Sequence, residues 1–216
     1  MKGGKIVCVN KDSCNCLSTQ RECNHLGPFV AIDINCINTP IDDGDGTNDN
    51  GSIIPFSSGI TTSVVGIAEG ATLVASLIGF GSAINGITLL GDNTIDLTGI
   101  LSEAFSVPRN GNITGISATF NSFIDLNLTG THTITAQIYR APAGTNIYSP
   151  TNARVDLAPP ITGPFPAITF GTGDIEPVPV SVGDRLLMVF YISPTINPPA
   201  LNFSISGSAS AGITIV

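Results

Sequence analysis

Tryptophan is absent, lysine is confined to the first eleven residues, and no cysteine follows residue 36. With Lys2, Lys5 and Lys11 as the only lysines, the rest of the chain relies on five arginines, and the net charge is −8. A surface this poor in cations has no stripe to neutralise phosphate, so neither a nucleic-acid nor an anionic-membrane partner is expected. Three tyrosines and no tryptophan leave little to stack a sugar, which argues against a glycosidase built on Asp174 and Glu176. The two histidines are His25 and His132, and no Gly-x-Ser-x-Gly elbow accompanies either one. A bilayer-crossing helix needs about 20 apolar residues. The stretch Thr72 to Leu90 comes nearest, but Gly79, Gly81, Ser82, Asn85 and Gly86 break it with turn chemistry. Met1 to Ser13 carries charges without an apolar run, so no signal peptide is expected.

What is present reads as β-protein. Hydrophobic residues make up 42% of the chain and charged residues 11%, with 24 glycines and 15 prolines punctuating Thr-, Ser-, Ile- and Asn-rich runs. From Ile53 onward short apolar or alternating segments recur. Asn112 to Asp125 alternates Ile116, Ala118 and Phe120 with Ser117, Thr119 and Asn121, and Thr129-Gly130 then precedes His132 to Tyr139, which predicts a hairpin. Further strands are expected at Thr72 to Gly79, Thr94 to Leu97, Ala104 to Val107, Arg154 to Leu157, Ala167 to Phe170, Val178 to Val182, Arg185 to Ile192, Leu201 to Ser206 and Ala211 to Val216. Turns are expected at Pro108 to Gly111 and at Val182 to Asp184, and Ile100 to Ala104 is the one place for a short helix. About ten short strands at 8- to 12-residue spacing predict an all-β fold, an antiparallel jelly-roll sandwich behind a flexible N-terminal connector arm.

The division of the chain follows the cysteines. Cys8, Cys14, Cys16, Cys23 and Cys36 lie in residues 1–40, a Cys-rich connector. Residues 41–52 form an acidic, Gly/Asn-rich linker in which Asp42, Asp43, Gly44, Asp45, Gly46, Asn48, Asp49 and Gly51 have no periodic apolar neighbours. Residues 53–216 form the β domain. Five cysteines cannot all pair within one chain, so inter-subunit disulfides, disulfides within the arm and free thiols all stay open. The segment C-x-C-x6-C-x-H from Cys14 to His25 offers four zinc ligands, but its pairs stand closer than the usual two to four residues, and no metal is expected. The linker carboxylates do not follow the spacing of an EF-hand loop, and they read as a solvated linker rather than a calcium site. The triplets beginning at Asn112, Asn127 and Asn202 match a glycosylation pattern that chance explains in so Asn- and Thr-rich a chain.

Several stretches carry a family likeness. Ile54-Pro-Phe-Ser-Ser-Gly59, Ile78-Gly-Phe-Gly-Ser82 and above all Gly86 to Phe120, with Ser-Val-Pro-Arg-Asn-Gly at 106–111, are followed by Thr133 to Arg140, Gly183 to Phe190 and Ala209-Ser-Ala-Gly212. In these the sequence resembles the C-terminal domain of the Bacillus collagen-like exosporium glycoproteins of the B type. That family's collagen stalk has no counterpart here. A Cys-bearing connector ahead of a β-sandwich is similar in plan to endospore appendage (pilus) subunits. The resemblance implies a spore-surface or exosporium location and a non-enzymatic, cofactor-free structural role. It also implies a homo-oligomer, a trimer or a head-to-tail filament, in contact with other spore-coat or exosporium proteins. Ile6, Val7, Phe29, Val30, Ile32 and Ile34 would be the arm's docking residues on a neighbouring copy, and the five cysteines its covalent lock. The alternative role is a non-polymerising trimeric tip, adhesin or anchor.

Overall fold

The computed structural model describes residues 51–66, 73–100, 102–163, 165–193 and 202–216. The arm's cysteines and docking candidates, and the linker up to Asn50, lie outside the described residues. Ser52, read as the end of the linker, is the first residue of a strand.

Twelve strands follow one another: β1 (Ser52–Ser57), β2 (Thr62–Gly66), β3 (Val74–Ile78), β4 (Ala83–Thr88), β5 (Ile95–Asp96) and β6 (Phe105–Ser106). They continue with β7 (Gly111–Leu126), β8 (Ile134–Ala141), β9 (Ile147–Asp156), β10 (Ala167–Val180), β11 (Arg185–Ile192) and β12 (Phe203–Ile215). All strand pairings are antiparallel, and the hydrogen-bonded order is β10-β7-β12-β2-β3-β11-β8-β9-β5, with β1 on β12, β4 on β3 and β6 on β11. A single register pair, Val65 with Val74, joins β2 to β3. There the sheet bends into a front layer, β10-β7-β12 with β1 and β2, and a back layer, β4-β3-β11-β8-β9. The connections β2→β3, β6→β7, β7→β8, β9→β10, β10→β11 and β11→β12 each cross from one layer to the other. Nested layer-crossing pairs of this kind are the jelly roll.

Period-two alternation decides which residues meet between the layers. Ile113, Ile116, Ala118 and Phe120 of β7, with Ile205, Ala209 and Ile213 of β12, face Ile138 of β8 and Leu186, Met188 and Phe190 of β11 in one core. The Phe120 and Phe190 rings, 6.4 Å apart between centroids, bridge the layers. The opposite face of β11 is buried too. Leu187, Val189 and Tyr191 pack with Tyr139 and Tyr148 under Leu89, Ile95 and Leu97. A strand covered on both faces needs an unbroken apolar run, which is why Leu186 to Ile192 was legible as a single buried strand.

Several expectations are corrected. Thr129-Gly130 is not a hairpin turn: β7 pairs with β10 and β12, and β8 with β11 and β9, so this segment crosses between layers. No helix forms at residues 102–104. The two strands expected within 167–182 are one, β10, continuous through Asp174 and Glu176 with a register shift between Asp174 and Val178. Those carboxylates therefore sit on a strand and not in a loop. Likewise the two strands expected over 201–206 and 211–216 are, among the described residues, one strand, β12, from Phe203 to Ile215. The strands β1, β2 and β4 and the first half of β9 were not anticipated. The turn at Val182 to Asp184 is as expected, closed by the Asp184 N–H donating to the Ser181 carbonyl at 3.0 Å.

Candidate functional site

Among sequence candidates inside the described residues, His132 is the one histidine. It lies two residues ahead of β8, paired to Ile161 by two backbone hydrogen bonds, and is 5% exposed. Its Nε2 is 2.7 Å from the Thr129 carbonyl. A carbonyl only accepts, so Nε2 holds the proton and Nδ1 is left as an acceptor, buried without a partner. The ring lies against Phe203 at 4.1 Å between centroids. This setting braces a layer crossing, with no nucleophile or carboxylate among the described residues bonded to the ring.

Two open grooves mark the domain. The first, about 470 Å³, lies between β9 and the irregular part of β10 and is lined by Arg140, Ser149, Thr151, Asn152 and Glu176 among four prolines. Arg140 is already engaged: its Nη1 donates to the Pro179 carbonyl at 2.7 Å and lies 3.7 Å from Asp184 Oδ2. Asp184 in turn accepts the Ser181 N–H at 2.9 Å, so this pair holds the β10–β11 turn. The second groove, about 460 Å³, crosses the outer surface of the front layer between Ile60 and Phe123, over Thr119, Asn121, Ser208 and Ser210. It contains no ionisable group.

Burial perturbs the tyrosines of the back layer. Tyr139 is pushed well above its ordinary 10.0 by burial, reinforced by nearby Tyr191. Tyr191 is also raised, again first by burial, with Arg154 opposing. Its hydroxyl donates to Gln137 Oε1 at 2.7 Å, and Gln137 Nε2 donates to the Thr151 carbonyl at 2.6 Å. This chain satisfies polar groups beneath β9 and ends at Thr151, which also lines the first groove. Among the described residues no group of three or more His, Cys, Asp and Glu side chains is placed to hold a metal ion. Gly51, described along with Ser52 at the end of the linker, has φ +45° beside the end of β12. Asn112 lies on β7, while Asn127, at φ 59°, and Asn202 are exposed near strand ends.

One feature of the surface was missed. In β10, Ile168 and Phe170 alternate with Thr169, a pattern that ordinarily turns the apolar residues to the core, yet they are 61% and 60% exposed while Thr169 is buried. The sequence signal was the apolar alternation itself; its direction is set by the register with β7, which no local pattern specifies.

No protein-family model matches the chain, and no curated protein matches it. Among solved structures the chain is similar to one described as the structure of Eiger TNF from S. frugiperda, at 12% identity and a TM-score of 0.30, covering 76% of this chain and 94% of that one. The jelly-roll assignment rests on the strand order described above.

Proposed function

We propose that the chain is a structural subunit of a self-assembling, disulfide-stabilised fibre on a spore surface, joined to its neighbour through residues 1–40. The observation that carries this reading is the partition of the cysteines, five within the first 36 residues and none in the jelly roll that follows. A domain with two apolar cores needs no internal staple, whereas an arm that docks onto another copy gains from being locked afterwards. Each such disulfide would add about 2–4 kcal/mol to the joint by restricting the undocked chain. Ile6, Val7, Phe29, Val30, Ile32 and Ile34 supply the apolar side chains, and an added strand supplies backbone hydrogen bonds. Head-to-tail contacts of this sort need not close, so they propagate into filaments. The residues from Asp42 to Gly51 then act as the flexible link between rigid units. The role involves no catalysis and no cofactor.

Resemblance to the heads of exosporium glycoproteins favours a second reading, a finite trimeric tip, adhesin or anchor whose arm ties it to another spore-coat or exosporium protein. Replacing all five cysteines by serine separates the two. A fibre subunit so altered keeps a folded domain and yields polymers that detergent disperses. Polymers as resistant as the unaltered ones would refute the locking role, and finite particles from the unaltered chain would favour the tip or anchor.

A further inference from the structure

The outer face of the front layer is apolar where a solvated sheet is usually polar. Ile53, Phe123, Ile124, Leu126, Ile168 and Phe170, each 48–74% exposed, account for half of the twelve large apolar side chains that the described residues expose. Register gathers them on one surface. Phe170 aligns with Thr119 of β7, Thr119 with Ser210 of β12, and Ser210 with Ser57 of β1. In the neighbouring rows Ile168 aligns with Asn121 and Ser208, Ile124 with Ser206, and Leu126 with Ser204. In β10 the usual pattern is inverted: Ile168 and Phe170 point out, while Thr169 points in with its hydroxyl buried and unpartnered. Shifting the strand by one residue would bury both apolar side chains, so their outward placement is a cost that a covering surface would offset.

We propose that this face is the contact surface between two copies of the chain. Charge argues for a second copy. Residues 51–216 hold nine acidic residues and four arginines, a balance of 4 − 9 = −5, so copies repel unless they meet through uncharged ground. Apart from Asp125, which aligns with the buried Ile205, the rows from Leu126 to Thr172 contain no charged side chain; Asp174, in the next outward-facing row, marks the border. The lysines of residues 1–40 find no carboxylate on this face, which argues against the arm as its occupant. Serine, threonine and asparagine both donate and accept, so the face can bond to its own like. Ten residues along β7 and four strands across give roughly 33 by 19 Å, about 600 Å² before side-chain relief. That approaches the ~800 Å² per partner of a stable interface.

The test is thiol protection in the full chain with its five cysteines replaced by serine. One new cysteine is placed mid-face (Thr119→Cys) or, as a control, in the exposed β10–β11 turn (Val182→Cys), and labelling by a maleimide is timed at nanomolar and at tens of micromolar protein. The Thr119→Cys thiol should lose reactivity at the higher concentration and regain it when Phe170→Asp is added. The Val182→Cys thiol should react alike throughout, and circular dichroism should show all variants folded. Equal labelling of Thr119→Cys at both concentrations overturns the proposal, whether or not filaments form. So does protection independent of concentration, or protection removed by Phe29→Ser and Val30→Ser but not by Phe170→Asp, since either gives the face to the arm. Filament formation, read separately by electron microscopy, reports on the arm.

Discussion

Phe120 and Phe170 stand in adjacent rows of the same sheet, and truncating each in turn tests the sandwich more sharply than any single core substitution. Phe120 is fully buried and its ring bridges the layers to Phe190; Phe170 is 60% exposed on the other side. Phe120→Ala removes a phenyl ring from between two sheets that cannot close over the gap, and a buried Phe→Ala change costs about 3–5 kcal/mol. For a domain of this size each kcal/mol lowers Tm by about 2–4 °C, so the expected loss is roughly 6–20 °C. Phe170→Ala, which opens no cavity, should stay within about 0.5 kcal/mol. Urea unfolding followed by far-ultraviolet circular dichroism, in the cysteine-free chain at concentrations low enough to keep it monomeric, measures both, with the midpoint shifting at constant slope. If Phe120→Ala cost under about 1 kcal/mol, or Phe170→Ala cost as much, the assignment of inner and outer faces would be wrong.

Tyr139 and Tyr191 hold their protons in the folded state to higher pH than in the unfolded state, so above the ordinary value of 10.0 the unfolded chain releases protons first and stability falls as pH rises; Tyr139→Phe should flatten that loss in an alkaline unfolding series. Gly59 has φ +60°, and an added Cβ would overlap the Gly81 carbonyl, so Gly59→Ala should cost about 1–3 kcal/mol, while Gly173→Ala, with open space around it, should be near neutral by urea midpoint. Asp184→Ala strands the Ser181 N–H and releases Arg140, and it should lower stability by about 1–3 kcal/mol; Arg140→Ala, losing a 37%-exposed partner, should cost under about 1.

The fold was legible where burial and local pattern agree. Leu186 to Ile192 is apolar throughout because both of its faces are covered, and Asn112 to Asp125 alternates because only one is. Connectivity was not legible. Thr129-Gly130 has hairpin chemistry, but the chain uses it to change layers, and partner choice depends on distant strands. The strands β1 and β4 escaped notice because edge strands carry few buried residues to set a rhythm. In β10, Asp174 to Pro177 read as a loop because the register shift there relaxes the alternation that marks a strand. The cysteines of the arm were legible as a cluster, and their pairing depends on partners that no spacing specifies.

The proposed fibre requires that the chain polymerise by itself through an arm that disulfides then lock. Negative-stain electron microscopy of the purified full chain, prepared with and without reductant, is the decisive experiment. Filaments that form unaided, withstand heat and detergent, and lose that resistance on reduction are the expected result. Discrete trimers or monomers under both conditions would contradict it.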